Sequence, residues 1–440
     1  MKIIKLFLVI FTAVFFLTGC VFSSSIDNLM TPPKLSVEQE QIYNALTDAA
    51  GTSISLKYPK SGKYLSAFII EDIDGDGGNE AVVFYEKTSI AVEENTLRIN
   101  ILDRSDDGKW RSVCDTPAKG AEIEKVMISK LGSNDRVNLI IGSSLINRSE
   151  KNVSIYSYID GSIEETFSES YSFIDVTDLD KDDENEFLLL SGASLGSLAV
   201  AEAYKLDSDG LYYKYSRKLS GSFTEFDSLN YGRIDSKRTG LYIDAVLGTG
   251  LIQTDIIYMD DTGLRKVFST PEESRFTVRP VGYASFDIDG DGILEIPVQV
   301  ISPGYEDVSE SEQMKITNWY FVNEDDKTEK KYSSYCSIND GYIFVFPEKW
   351  GNKVTVKHDY VNDEIVFCAY ENETAGRELL RIYMAEDSPS KEDRLSNGYM
   401  LMRTKGESTY LAYIPVSDDE NDDGLSVTAG DVAVGFKFRE

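Results

Sequence analysis

The segment DIDGDGGNEAVVFY, from Asp72 to Tyr85, sets four acids and three glycines ahead of an apolar run, and the chain writes it again from Asp287 as DIDGDGILEIPVQV. A weaker copy carries Asp178, Asp180, Asp182 and Glu186. The ninth-position acids Glu80, Glu186 and Glu295 are 106 and 109 residues apart, long for one sheet-forming unit, so a copy is expected halfway between each pair. Asn138 and Tyr242 stand there, each opening an apolar strand. The marks 80, 138, 186, 242 and 295 are spaced 58, 48, 56 and 53, giving five units of about fifty residues.

Each unit predicts an inner strand (Ala81–Tyr85, Leu139–Ile141, Phe187–Leu190, Leu241–Leu247, Ile296–Val300) followed by a turn at Asp106-Asp107-Gly108, Asp160-Gly161, Asp209-Gly210, Asp261-Thr262-Gly263 or 323–328. Asp-Gly between β-rich runs is a hairpin signal. Four short strands per fifty residues is the arithmetic of a propeller blade, whereas a β-sandwich gives no reason for a fixed period. The fold class expected is therefore mainly β: a β-propeller of about five blades over 63–337, followed by a small α+β domain over 338–440. Ahead of it, 36–62 hold a helix opened by the capping pattern Ser36 to Gln39 and a strand, Ser53–Tyr58, placed to close the ring against the last blade. The longer alternating strands beyond Ile338 imply one antiparallel sheet with a helix or two.

The chain begins with two lysines, Lys2 and Lys5, an apolar run from Leu6 to Leu17, and then Leu17-Thr18-Gly19-Cys20. The apolar run is too short to cross ~30 Å of hydrocarbon as a transmembrane anchor and reads as a secretion signal over 1–19. The four residues ending at Cys20 resemble the bacterial lipobox, which implies lipidation of Cys20, a tether over 20–35 and a protein held to the cell membrane on its outer side. Two acyl chains suffice for stable anchoring. Without the signal the charge is 42 − 75, or −33. That balance repels phosphate backbones, so nucleic acid is not expected as a partner and cations are. Cys114, Cys336 and Cys368 make no disulfide framework; at most one bridge can form among them, Cys336 and Cys368 being the nearer pair in sequence, and buried thiols are the preferred reading.

Carboxylates at positions 1, 3 and 5, a carbonyl at 7 and a further acid supply the six to eight oxygens that calcium takes. In the first loop these are Asp72, Asp74, Asp76, Gly78 and Glu80, with Gly77 granting the positive φ of the turn. An EF-hand would place its glutamate at position 12, where Val83 and Val298 stand, and no helix follows. The loops resemble the calcium loops of FG-GAP repeats, found in integrin α propellers and in bacterial FG-GAP or VCBS repeat proteins. The resemblance spans roughly Tyr64 to Ser337 and implies calcium as the bound ion. It implies as ligands Asp72, Asp74, Asp76, Gly78 and Glu80 in the first loop and Asp287, Asp289, Asp291, Ile293 and Glu295 in the third. In the middle loop, with Asp178, Asp180, Asp182 and Glu186, Lys181 and Asp183 replace glycines and weaker binding is implied. Blades two and four have lost the acids to Lys130, Gly132 and Asn134 and to Ile234, Ser236 and Arg238, so no metal is expected there. The alternative is a solvated turn that binds nothing, although four carboxylates in one empty turn repel one another.

Three functions compete. The first is a calcium-stabilised binding or scaffold module for an extracellular protein or glycan. The second is an envelope hydrolase of glycans or peptides using carboxylates on the propeller face, which composition leaves open. The third is a purely structural envelope component. Against the enzyme stand a single histidine, His358, and no G-x-S-x-G, H-E-x-x-H or phosphate loop. The 26 tyrosines and 21 phenylalanines, as in Leu211-Tyr212-Tyr213-Lys214-Tyr215, serve either core packing or a sugar platform, with packing the commoner use.

Overall fold

The computed structural model describes residues 35–88, 97–105, 107–145, 150–159, 161–248, 250–416 and 424–439. The signal, Cys20 and most of the tether lie outside them, as do Asp106, Asp160 and most of the acidic stretch 417–424. Among the described residues no helix is long and apolar enough to cross a membrane.

Six antiparallel sheets follow one another along the chain. The first holds Ile54–Leu56, Phe68–Glu71, Glu80–Lys87, Leu97–Arg104 and Trp110–Pro117; the second Glu122–Ser129, Asn138–Ser144, Lys151–Ile159 and Ser162–Tyr171. The third is built from Phe173–Thr177, Glu186–Ser191, Val200–Leu206 and Tyr212–Lys218, and the fourth from Phe226–Arg233, Thr239–Gly248, Leu251–Asp260 and Gly263–Lys266, with Arg279–Pro280 added. In the fifth, Ile296–Ile301, Lys315–Val322, Thr328–Ser337 and Tyr342–Val345 are joined by the late strand Phe436–Phe438. The sixth runs Val354–Asp359, Glu364–Glu371, Thr374–Ala385, Ser408–Tyr413, Met400–Lys405 in spatial order.

All five expected inner strands are present, and the packing explains why they are almost wholly apolar. Side chains of a strand alternate between its faces, and here both faces are covered. In Glu80–Lys87, Ala81, Val83 and Tyr85 pack with Ile42 and Leu46 of the helix Val37–Ala50, while Val82 and Phe84 pack with Ile123, Val126 and Leu139 of the second sheet. In Glu186–Ser191, Phe187 and Leu189 share a core with the second sheet and Leu188 and Leu190 one with the fourth. Further shared cores join the fourth sheet to the fifth and the fifth to the sixth. Where the second and third sheets meet, Gly132 has φ +57°, and a Cβ there would lie 2.3 Å from the Leu206 carbonyl oxygen, so only glycine fits.

The helix carries the expected capping box: Gln39 N–H donates to Ser36 Oγ at 3.1 Å, and Ser36 N–H to Gln39 Oε1 at 3.0 Å. Two expectations change. Ile54–Leu56 pairs with Glu80–Lys87 of its own first sheet, Leu56 opposite Tyr85, and not with the last blade. The reason is local: the helix packs on the first sheet and delivers the following strand to its free edge. The boundary at 338 falls inside the fifth sheet, because Tyr342–Val345 pairs with Thr328–Ser337 and with the late strand Phe436–Phe438. The 338–440 segment does contain a sheet and helices, Ser388–Ser396 and Ala429–Gly435. Cys114, Cys336 and Cys368 are free thiols. Tyr212 packs with Phe167 and Tyr204 between the second and third sheets, which is core packing.

One buried carboxylate makes the fold sensitive to pH. Asp255, wholly buried in the fourth sheet, accepts from the Ser220 N–H at 2.5 Å and from its hydroxyl at 2.8 Å, and burial holds its pKa above the usual carboxylate range. The folded state therefore holds this proton more tightly than the unfolded state, so the contribution to stability is present below about pH 4 and is lost as pH rises through the raised value. Asp255→Asn is expected to remove this downward component, so that above about pH 4 stability falls less or rises more with pH than in the wild type, measured by urea unfolding over a pH series; an unchanged profile would show that Asp255 does not carry it.

Candidate metal-binding loops

Each acidic turn is built by the same local logic. The first-position aspartate turns its carboxylate back onto the loop amides: Gly75 and Gly77 N–H donate to Asp72 at 2.7 and 3.1 Å, and Gly290 and Gly292 N–H to Asp287 at 2.6 and 2.7 Å. These four glycines have φ between +81° and +90°. In the middle loop Lys181 and Asp183 adopt φ of +62° and +69° at the same places, and the Asp183 N–H still reaches Asp178 at 3.1 Å. That loop keeps its shape at the cost of two left-handed side-chain-bearing residues. The ninth-position glutamate is buried in every copy and ties the turn to its strand: Glu80, Glu186 and Glu295 accept from the N–H of Ile73, Leu179 and Ile288 at 2.8, 2.7 and 3.0 Å.

Three groups of acids have oxygens within 4.8 Å of one another: Asp72, Asp74 and Glu80; Asp178, Asp180 and Glu186; Asp287, Asp289 and Asp291. Each group could hold a metal ion. Asp76, Asp182 and Glu295 stand outside them. Asp76 and Asp182 are turned to the amides of Gly78 and Glu184, at 2.6 and 2.9 Å. At the seventh positions, Ile293 N–H likewise donates to Asp291 at 2.8 Å. In the second and fourth sheets the corresponding turns are held differently. Asn134 donates to the Asp207 carbonyl at 2.9 Å, and Arg238 pairs with Asp235 and Asp326, both at 2.6 Å.

The three acidic loops differ in what faces them. The Lys205 ammonium sits among Asp180, Asp182 and Glu186 at 3.1, 2.6 and 2.9 Å. The Lys331 ammonium sits among Asp289, Asp291 and Glu295 at 2.6, 2.6 and 2.8 Å, and the Tyr332 hydroxyl donates to Asp289 at 2.7 Å. The first loop has no such lysine. No basic side chain among the described residues pairs with Asp72, Asp74, Asp76 or Glu80, and the charge from outside the loop that acts on Asp74 and Glu80 is another acid, Asp103.

Electrostatics follow this difference. Burial pushes Glu80 up to about 7, and the fields of Asp74, Asp103 and Asp72 add to it. Glu186 and Glu295 are likewise pushed up to about 7 by deeper burial, against the pull of Lys205 and Lys331. At the third loop position Asp74 is raised by burial and its acidic neighbours, and Asp180 is raised by burial although Lys205 opposes it, whereas Asp289, although burial opposes it, is lowered by Lys331 and Tyr332. Lys205, Lys331 and Asp103 are the functional neighbours that motif reading missed. Asp103 and Lys205 are placed by the pairing of an inner strand with the strand that follows it, and Lys331 is the residue skipped at a bulge between the pairs Trp319–Tyr332 and Tyr320–Lys330.

No family model matches this chain, and no curated protein does. Among solved structures it is similar to the exotype rhamnogalacturonan lyase YesX, at 10% identity and a TM-score of 0.27, covering 71% of this chain and 61% of that one. The rhamnogalacturonan lyase YesW gives 12% identity and a TM-score of 0.25, with 73% and 61% covered. A functionally unknown protein from Desulfotomaculum acetoxidans gives 10% and 0.28, with 71% and 84% covered. The chain thus spans about three fifths of the length of the two lyases.

Proposed function

We propose that this chain is an extracytoplasmic lipoprotein, anchored to the bacterial membrane through Cys20, whose successive sheets are propeller-type blades stabilised by calcium and present a binding or scaffold surface to an extracellular protein or glycan. The observation that carries the calcium part is the first loop. Oxygens of Asp72, Asp74 and Glu80 converge within 4.8 Å, and no basic side chain among the described residues pairs with them. The donors are all carboxylate oxygen, with no imidazole or thiolate among them, which suits a hard cation of loose geometry and not zinc or copper. Bound there, calcium would supply charge neutralisation and cross-link the turn to the head of the inner strand. Support for the blade reading comes from the repeat itself: antiparallel sheets of four or five strands in chain order, with each marked residue in or immediately before an inner strand.

Thermal unfolding of the mature chain carrying Cys20→Ser, in ~2 mM calcium and in excess chelator, tests this. At a Kd near 0.1 mM one occupied loop adds about 1.8 kcal/mol, enough to raise the midpoint by a few degrees. Asp74→Ala is expected to abolish the shift. Equal midpoints in calcium and chelator would reduce the first loop to a solvated turn and remove calcium from the reading.

A further inference from the structure

Four glutamates with at most 1% of their surface exposed stand at the heads of inner strands: Glu80, Glu186, Glu295 and, in the sixth sheet, Glu364. A buried carboxylate needs a counter-charge, and three of the four have one within the chain. Glu186 meets Lys205 at 2.9 Å, Glu295 meets Lys331 at 2.8 Å, and Glu364 meets Arg381 and Arg394 at 2.8 and 2.9 Å. Glu80 has none among the described residues. The contrast with the third sheet is one of a single register position. Pairing of Phe187 with Tyr204 puts Lys205 level with Glu186, and pairing of Ala81 with Leu102 puts Asp103 level with Glu80. The same place on the neighbouring strand thus holds a cation in one sheet and a further acid in the other.

We propose that Lys205 and Lys331 are the resident cations of the second and third acidic loops, so that the first loop alone takes an exchangeable divalent ion. The proposal rests on the reading of the first loop as a metal site. In each loop the ammonium touches two of the three converging carboxylates, Asp180 and Glu186 at 3.1 and 2.9 Å or Asp289 and Asp291 at 2.6 Å, oxygens that a calcium ion would need at about 2.3–2.6 Å, and the two positive charges repel. The lysine is also tethered, so its effective concentration exceeds that of an ion near 1 mM outside the cell. Sequence identity at the acid positions therefore does not decide which loops take metal; the residue facing them does. The first and third loops share every acid, yet only the third faces a lysine.

The test is the shift of the unfolding midpoint between chelator and ~2 mM calcium, measured for the full chain in detergent and for each variant against its own chelated state. Asp74→Ala is expected to abolish the wild-type shift, and Asp180→Ala and Asp289→Ala to leave it at full size. Lys205→Met and Lys331→Met are each expected to about double it, by opening a second loop to the ion. A partial loss of shift in Asp180→Ala or Asp289→Ala would overturn the proposal while leaving the first loop a calcium site. A wild-type chain without any shift would sink the first-loop reading; the lysine assignment would then stand only if Lys205→Met or Lys331→Met gains a shift, and would fall if neither does. Should the lysine variants not fold, the two aspartate variants decide.

Discussion

Asp244→Ala is expected to destabilise the protein by about 3–5 kcal/mol, the largest single effect we foresee, because it strands a charge in the interior. Arg279 is wholly buried, and its Nη2 donates to Asp244 Oδ1 at 2.8 Å. The guanidinium is otherwise held by neutral acceptors: the Thr254 hydroxyl at 2.7 Å, the Thr277 carbonyl at 2.9 Å, the Ser285 hydroxyl at 3.0 Å and the Tyr283 carbonyl. Asp244 in turn accepts from the Ser285 N–H at 2.6 Å and the Thr254 hydroxyl at 2.6 Å. The Ser285 hydroxyl also donates to Asp244, at 2.9 Å, so removing the carboxylate leaves a desolvated cation and three donors without that acceptor, whereas Asp244→Leu combined with Arg279→Met removes both charges and is expected to recover most of the loss. Equilibrium urea unfolding measures both. A loss under about 1 kcal/mol for Asp244→Ala would mean that water reaches Arg279 once the carboxylate is gone.

Trp350→Ala comes next, at about 3–5 kcal/mol for emptying a fully buried indole site. Trp350 ends the short turn Glu348–Trp350 that leads from the fifth sheet to the sixth, and its ring lies 5.8, 5.3 and 5.6 Å from those of Phe344, Phe346 and Phe367. Its Nε1 donates to the Leu425 carbonyl at 2.8 Å, pinning the returning chain before its last strand completes the fifth sheet. The fifth and sixth sheets share this core and are expected to melt together in the wild type. Calorimetry of Trp350→Ala should show a lower midpoint for the whole transition; a separate early transition for the sixth sheet, with the rest unmoved, would show that it is an independent unit.

Much of this architecture was legible in the chain because repeats leave their mark at fixed positions. Residues 80, 138 and 186 open an inner strand, 295 immediately precedes one and 242 lies three residues inside one, and the turn chemistry between strands is local. The sixth sheet was legible as an antiparallel sheet, but not the buried glutamate at the head of one of its strands: the residues ahead of Glu364 read DYVND in place of the repeated motif, and Arg381 and Arg394, contributed by a later strand and a helix, do the charge balancing. The strand Ile54–Leu56 was legible as a strand and not by its partner, since an edge pairing depends on where the preceding helix packs. The candidate ligands were legible as a motif. The lysines facing them were not, because their placement depends on cross-strand register and, for Lys331, on a bulge.

The two-faced inner strands carry one more consequence. In Glu80–Lys87 the odd-numbered side chains serve one core and the even-numbered another, and Glu186–Ser191 divides in the same way. Inserting or deleting one residue in such a strand would exchange the two sets at a stroke, sending side chains sized for one interface into the next. Length changes in this molecule are therefore tolerable in the turns and forbidden in the inner strands.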